Sequence, residues 1–193
     1  MIAIIACGSD KVKNIEAVLA SLGVATKTIP LEEADKIDFV AYSGVIISGS
    51  PILVTDEGME QHLSKFQFVE RYGKPIFGIC FGHQVLGLLA GATGILGEAI
   101  KGDELVTILK PDRLFSGLGE QAYFNQNHCE SVTLPDEFTL LATSASSQNE
   151  AMRHKTKPFF GVQFHPEVSG DNGAQLFKNF VALCQEETIK PIA

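Results

Sequence analysis

The sequence predicts an α/β protein with a three-layer αβα arrangement, in which a central, mostly parallel sheet carries extra antiparallel strands. Short β-rich runs alternate with helical patterns through the first half, as βαβ units do. Those runs are continuously apolar rather than alternating, which suits strands covered by helices on both faces. From about Gly91 the texture changes to brief strand candidates separated by Gly, Pro and Asp, so antiparallel or mixed additions are expected there.

Ile2 to Ala6 reads as the first strand. Val12, Ile15, Val18, Leu19 and Leu22 then recur at helical spacing, and Gly23 supplies the stop. Val24 to Ile29 resumes a strand, which Pro30 follows. Val45 to Ile47 is short and wholly apolar and ends in Ser48-Gly49-Ser50-Pro51, which must turn. Asp56 to Tyr72 is expected to form a helix closed by Gly73. Pro75 to Ile79 is a buried strand that runs into Cys80-Phe81-Gly82-His83-Gln84 and then an apolar helix through Leu89. Leu105 to Leu109, Ala122 to Asn125, Ser131 to Leu134 and Thr139 to Ala142 are the brief strands, and Phe159 to Phe164 is a final interior strand. Leu176, Phe177, Phe180, Val181 and Cys184 mark a closing amphipathic helix. With no linker, internal repeat or low-complexity stretch, a single domain over residues 1–193 is expected.

Composition narrows the function classes. The 193 residues are 45% hydrophobic and 20% charged, ordinary globular values. A chain of this size buries roughly two thirds of its unfolded surface, so no staple or metal is required to hold a core. Fifteen basic against 23 acidic residues give a net charge of −8 with no basic run, which excludes a general nucleic-acid scaffold. Cys7, Cys80, Cys129 and Cys184 are scattered without a C-x-x-C pair, so neither a zinc knuckle nor a disulfide scaffold is indicated. No segment approaches the roughly 18 apolar residues of a membrane span, and the start lacks a basic n-region. A reduced, cytoplasmic setting is the expectation.

The nucleophile candidate is Cys80. It ends a buried strand, with Gly78 two residues before it and Gly82 two after. A strand–turn–helix elbow holds its nucleophile in a strained conformation, so the close neighbours must be small. A helix N-terminus at that point favours a thiolate, and the backbone N–H of Phe81 would face the reaction centre. The plain alternative is a buried structural cysteine.

A thiol nucleophile needs an imidazole. His62 lies in a polar helix and reads as a solvated surface residue, as does His154 in the charged turn Met152-Arg153-His154-Lys155. His83 follows the elbow so closely that the helix carries it away from the thiol, toward a packing or supporting role. His165 ends the strand Gly161-Val162-Gln163-Phe164, and if that strand runs parallel to the Cys80 strand both residues emerge at one sheet edge, where open α/β sheets bind ligands. Glu167 can reach back to the imidazole and fix its tautomer. Cys80, His165 and Glu167 thus make an acyl-transfer set. A zinc site from Cys80, His128, His165 and Glu167 lacks close ligand spacing and leaves the elbow glycines unexplained, so no metal is expected.

Gly78-Ile79-Cys80-Phe81-Gly82-His83-Gln84 resembles the nucleophile motif of the class I (triad) glutamine amidotransferases. Gly161-Val162-Gln163-Phe164-His165-Pro166-Glu167 resembles their histidine–glutamate motif. The resemblance covers essentially the whole chain and implies a flavodoxin-like layering of the αβα fold. Within that superfamily the chain is most similar to the glutamine amidotransferase subunits or domains of GMP synthase, through Asn127-His128-Cys129-Glu130-Ser131-Val132, Glu150-Ala151-Met152-Arg153-His154 and its length. It implies L-glutamine as substrate, with Cys80 attacking the side-chain carboxamide, His165 protonating the departing ammonia and water releasing glutamate from the thioester. Gln84 would help hold the backbone end of the substrate, and His128 and Cys129 would line the same pocket. Phe81 and the Gly49–Ser50 turn would supply oxyanion-hole N–H groups.

Synthetase-type relatives usually carry two glycines before the proline, where this chain has Ser50. A non-glycine residue resists positive φ, so the hole is either misaligned until a partner docks or built in another allowed geometry. The resemblance further implies no cofactor in this chain. ATP and Mg²⁺ would belong to a separate synthetase that converts XMP to GMP, in keeping with the absence of a Gly-x-x-x-x-Gly-Lys-Ser/Thr loop. A free-standing γ-glutamyl peptide hydrolase, a subunit of another ammonia-using pathway and a binding module that kept the fold remain open at this level.

Overall fold

In the computed structural model, which describes residues 1–189, nine strands form one sheet in the order β2-β1-β3-β4-β9-β8-β7-β5-β6. β1 (Ile2–Ala6), β2 (Thr26–Pro30), β3 (Gly44–Ile47), β4 (Ile76–Ile79) and β9 (Phe159–Val162) run parallel. β5 (Gly94–Ile108), β6 (Gln121–Val132), β7 (Phe138–Thr143) and β8 (Ala151–His154) extend the sheet antiparallel. The unalternated apolar runs occupy the central strands, as continuous burial on two faces demands.

Alternate residues feed two cores. Ile2, Ile4, Ile46 and Phe77 face α1 (Val12–Ser21) and α4 (Gly170–Ile189), where Ile15, Leu19, Phe177 and Phe180 close the layer. Ala3, Ile5, Val45 and Ile76 face α3 (Phe81–Leu89) and the segment around Phe66 and Val69. The three-layer αβα reading therefore holds. None of the described helices is long and apolar enough to cross a membrane.

Several boundaries differ from the sequence reading. β2 begins at Thr26 because the Val24 N–H is taken by Leu19 O (3.0 Å) at the end of α1. Pro30 is its last residue, paired with Ala6, and a proline is tolerated there because β2 is an edge strand. The expected helix over 56–72 is instead α2 (Met59–Leu63) followed by a 3₁₀ segment, Ser64–Glu70. Phe66, Val69 and Tyr72 are buried at every third position, the period of a 3₁₀ rather than an α-helix.

Leu105–Leu109 and Ala122–Asn125 prove to be parts of one long hairpin, β5–β6, and the expected strand at Ser131 is the end of β6. The first ten residues of β5 are almost wholly exposed, Ile95 and Leu96 included, and their apolar residues do not alternate as those of a half-buried strand do. Ala151 to His154 is strand β8 and not a turn, and its Ala151 and Met152 are buried. His154 is not solvated. Its ring packs edge-on against Phe138 and Phe159 at centroid distances of 5.1 and 5.8 Å. β9 stops at Val162 because Gln163 and His165 turn their N–H groups to Glu150 O and Asn125 O, both at 2.8 Å.

Candidate active site

Cys80 joins β4 to α3 with φ 51° and ψ −103°, the one positive φ outside glycine among the described residues. Such a conformation costs on the order of 1–3 kcal/mol and persists only where the surroundings enforce it. Two backbone hydrogen bonds hold it: Cys80 N–H donates to Val162 O (2.8 Å) and Gln84 N–H donates to Cys80 O (3.0 Å). The neighbouring glycines are sterically required. A Cβ on Gly78 would lie 2.4 Å from Gly82 O, and one on Gly82 would lie 2.3 Å from Ile47 O. Phe81 opens α3, and the first N–H groups of a helix have no intrahelical acceptor. At Cys7 and Cys184 burial pushes the thiols up to about 12, which keeps them protonated and inert.

One residue beyond the last β4–β9 rung, Ile79–Val162, come Cys80 and Gln163, and two residues further on comes His165. His165 Nδ1 lies 2.7 Å from Glu167 Oε1 with both side chains buried. With Nδ1–H donating to the carboxylate, Nε2 is the nitrogen free to move a proton, and it has no hydrogen-bond partner within the described residues. The His165 backbone is held at both ends, by Asn125 O and by the Ser169 hydroxyl, which donates to His165 O at 2.7 Å. Burial pulls the imidazole pKa down, but the Cys80 sulfur and the Glu167 carboxylate outweigh it and raise the value to about 10.

Gly49 sits against both reactive residues. A Cβ there would lie 3.0 Å from His165 Cε1 and 3.7 Å from Cys80 Cβ. Neither Gly49 nor Ser50 has a positive φ, so this turn is built in an ordinarily allowed geometry and Ser50 carries no backbone strain. Ser48 braces it from behind, its hydroxyl donating to Gly49 O and accepting from Cys7 N–H, each at 2.9 Å.

Cys80 opens onto a cavity of about 250 Å³ lined by Ser50, Pro51, Gln84, Lys101, Asn127, His128, Cys129 and Glu130, among others. That is smaller than the ~300–1,000 Å³ typical of drug-sized ligands and fits an amino acid. Gln84, His128 and Cys129 thus line one space with the thiol. A larger groove of about 1020 Å³, between residues 107–121 and α4, is lined by none of these residues. His128 Nδ1 lies 3.0 Å from Glu130 O, and burial, aided by the charge on His165, lowers its pKa, which keeps the ring neutral. His83 is fully buried behind the elbow against Gly161, where an added Cβ would lie 2.7 Å from its Nδ1. Burial lowers its pKa to about 4, so it packs as a neutral ring. Among the described residues, no three His, Cys, Asp or Glu side chains gather into a set that could hold a metal ion.

Sequence reasoning passes over three polar residues here. Gln163 is completely buried beside Cys80, and a lone amide in an apolar strand is the available signal. Glu130 accepts from Val54 N–H (2.5 Å), Thr55 N–H (3.0 Å) and the Thr55 hydroxyl, which ties β6 to the loop after Pro51. Glu150 is buried, accepts from Gln126 Nε2 (3.0 Å) and the Ser144 hydroxyl (2.7 Å), and has its pKa raised to about 7 by burial.

A carboxyl raised in this way binds its proton more tightly folded than unfolded, so its protonated form is favoured by folding. Stability is lost as pH rises from about 4.5 through about 7. Glu150→Gln is accordingly expected to gain on the native chain by about 1–3 kcal/mol at pH 8 relative to pH 4. Urea titrations at the two pH values check this, and a pH-independent difference would refute it.

Glu167→Gln is expected to lower kcat by about 10⁴-fold, because the imidazole remains but its tautomer is no longer fixed. The native His165 pKa is raised from 6.5 to about 10, so its contribution to stability is full below about pH 6.5 and fades as pH climbs toward 10. Loss of the Glu167 charge should shrink that contribution. An unchanged kcat would remove Glu167 from the site.

The family model of the class I glutamine amidotransferases matches residues 3–184. The A-subunit of glutamine-hydrolyzing GMP synthase from Thermoplasma volcanium is 36% identical over 179 residues, covering 91% of this chain and 87% of its own. Its Pyrococcus furiosus counterpart is 35% identical over 195 residues, covering 96% of this chain and all of its own. Among solved structures, one described as the GMP synthase A-subunit from Thermoplasma acidophilum superposes with a TM-score of 0.89 at 30% identity, covering 97% and 94% of the two chains. A glutamine amidotransferase from Thermotoga maritima shares the fold at a TM-score of 0.76 and 21% identity, covering 98% of this chain and 86% of its own. With the family model matching nearly the whole length, the chain belongs to the class I glutamine amidotransferases.

Proposed function

We propose that this chain hydrolyses L-glutamine and delivers the ammonia to a separate ATP-dependent synthetase that aminates XMP to GMP. The observation that carries the chemistry is the buried Cys80–His165–Glu167 set opening onto a cavity of amino-acid size. The pathway rests on the full-length similarity to the glutamine-hydrolyzing subunits of GMP synthase.

In this reading the Cys80 thiolate attacks the side-chain carboxamide carbon, and the oxyanion is met by the N–H of Phe81 and one from the Gly49–Ser50 turn. Each such donor is worth about 2.7–4 kcal/mol where one has been removed from other enzymes. His165 Nε2–H gives its proton to the leaving nitrogen, and ammonia departs as the thioester forms. The same nitrogen then takes a proton from water, which attacks the thioester and returns the thiolate with release of glutamate. Glu167 holds the imidazole in one tautomer throughout. Gln84, His128 and Cys129 bound the space for the amino-acid end of the substrate. ATP and Mg²⁺ act on the synthetase, which would activate the nucleotide.

Glutamate release from L-glutamine is to be measured for the chain alone and with a GMP synthetase subunit, ATP, Mg²⁺ and XMP. The expected result is slow hydrolysis alone, strong stimulation in the mixture and GMP as product. Brisk turnover that ignores the synthetase and extends to γ-glutamyl dipeptides would overturn the reading.

A further inference from the structure

Cys80 has a second polar neighbour besides the imidazole. Gln163 Nε2 lies 3.7 Å from Cys80 Sγ, within hydrogen-bond range for sulfur, and the Gln163 side chain is completely buried. An amide can present either its oxygen or its nitrogen to a neighbour, and what decides is the bond made by the other end. Here the other end is fixed. Gln84 Nε2 donates to Gln163 Oε1 (3.2 Å) and also to Glu130 O (2.9 Å), and a carbonyl can only accept. The chain of bonds therefore has one polarity: Gln84 must present its nitrogen to the carbonyl of Glu130, Gln163 must present its oxygen to Gln84, and the Gln163 N–H is left for the sulfur.

We propose that Gln163 is a thiolate-positioning residue, whose N–H, oriented by the Gln84 amide, holds and stabilises the ionised Cys80 sulfur in line with the cavity. This rests on the reading of Cys80 as the nucleophile. A donor to an ionised acceptor is stronger than one to a neutral group, so the bond favours thiolate over thiol. It also links ionisation of the sulfur to Gln84, which lines the substrate cavity. His165 then has a partner in charge control: the imidazolium lies on one side of the sulfur and a neutral, fixed N–H on another.

The test is the pH dependence of Cys80 alkylation by iodoacetamide in the full chain, read by mass on the Cys80 peptide. Gln163→Glu keeps the shape and the acceptor for Gln84 and removes the donor, while Gln163→Met removes the donor without adding charge. Both are expected to move the alkylation midpoint upward by about one pH unit, about tenfold less thiolate below the midpoint. Both should also lower kcat for glutamine far more than they raise KM. Gln84→Met, which frees the Gln163 amide to rotate, should shift the midpoint in the same direction by less, and it carries the test if a Gln163 variant does not fold. Unmoved midpoints in variants that melt like the native chain would overturn the proposal. Turnover by Cys80→Ala would instead overturn the nucleophile reading itself, so the two failures are distinguishable.

Discussion

Cys80→Ala is expected to lose about 10⁴–10⁶-fold in glutaminase kcat while keeping its fold. The sulfur is the only group of the elbow that can carry the γ-glutamyl acyl, and alanine removes it without filling new space. Persisting turnover in the purified variant would sink the thiol mechanism. Stability offers a second reading of the same position. Alanine inherits the positive φ of 51° that the elbow imposes, whereas glycine adopts it without a Cβ conflict. Cys80→Gly should therefore be more stable than Cys80→Ala by about 1 kcal/mol, as judged by urea unfolding. If glycine proves the less stable of the two, the conformation is not strained in the way argued.

The largest structural effect is expected from Gly173→Ala, far in sequence from the thiol. A Cβ at Gly173, in the first turn of α4, would lie 1.8 Å from Pro166 O and 2.7 Å from Pro166 C. Both are backbone atoms of the turn that joins His165 to Glu167, so no side chain can swing aside. Either α4 lifts off the sheet or the turn shifts and carries the Glu167 carboxylate away from His165 Nδ1. A loss of about 3 kcal/mol or more is expected, near the upper end for overpacking, together with a fall in kcat. Gly73→Ala is the control: an added Cβ there meets nothing within 4 Å, and its backbone is not left-handed. It should change stability by less than about 1 kcal/mol. Equal behaviour of the two variants would show that the α4–turn contact is not close-packed.

The parallel half of the fold is legible because burial writes itself into those segments. Ile2–Ala6, Gly44–Ile47 and Ile76–Ile79 are apolar at almost every position, and no other element type explains such short runs. The elbow is legible for a different reason: the spacing of Gly78, Cys80 and Gly82 is a steric requirement, since a Cβ added at Gly78 or Gly82 would lie 2.4 or 2.3 Å from a backbone oxygen. The β5–β6 arm is not. The outer part of β5 lies in water on both faces, so neither hydrophobic periodicity nor a continuous run marks it. β8 is obscured by Arg153 and His154, whose charge suggests a turn although Ala151 and Met152 on the same strand are fully buried.

In the site, sequence brings Cys80, His165 and Glu167 together because each sits at or just past a strand end with a reason to be there. It misses Gln163 and the Glu130 clamp because their partners, Cys80 Sγ, Val54 N–H and Thr55 N–H, are more than 70 residues away. Long-range hydrogen bonds leave no local pattern. Ser50 raises the prospect of a strained turn, and the backbone uses no positive φ there.

The neighbouring positions of β4 and β9 also set the order in which the protein becomes reactive. Ile76 pairs with Phe159 across 83 residues, and everything between them, including the whole antiparallel half of the sheet, must be synthesised before that rung can close. Contacts so distant in the chain form late, because loop closure must precede the stabilisation they bring. Until β9 docks, Cys80 has no imidazole, no Gln163 amide and no Val162 carbonyl to hold its backbone. The nascent chain therefore carries an ordinary thiol through most of its assembly, and the nucleophile matures only when the last strand seats.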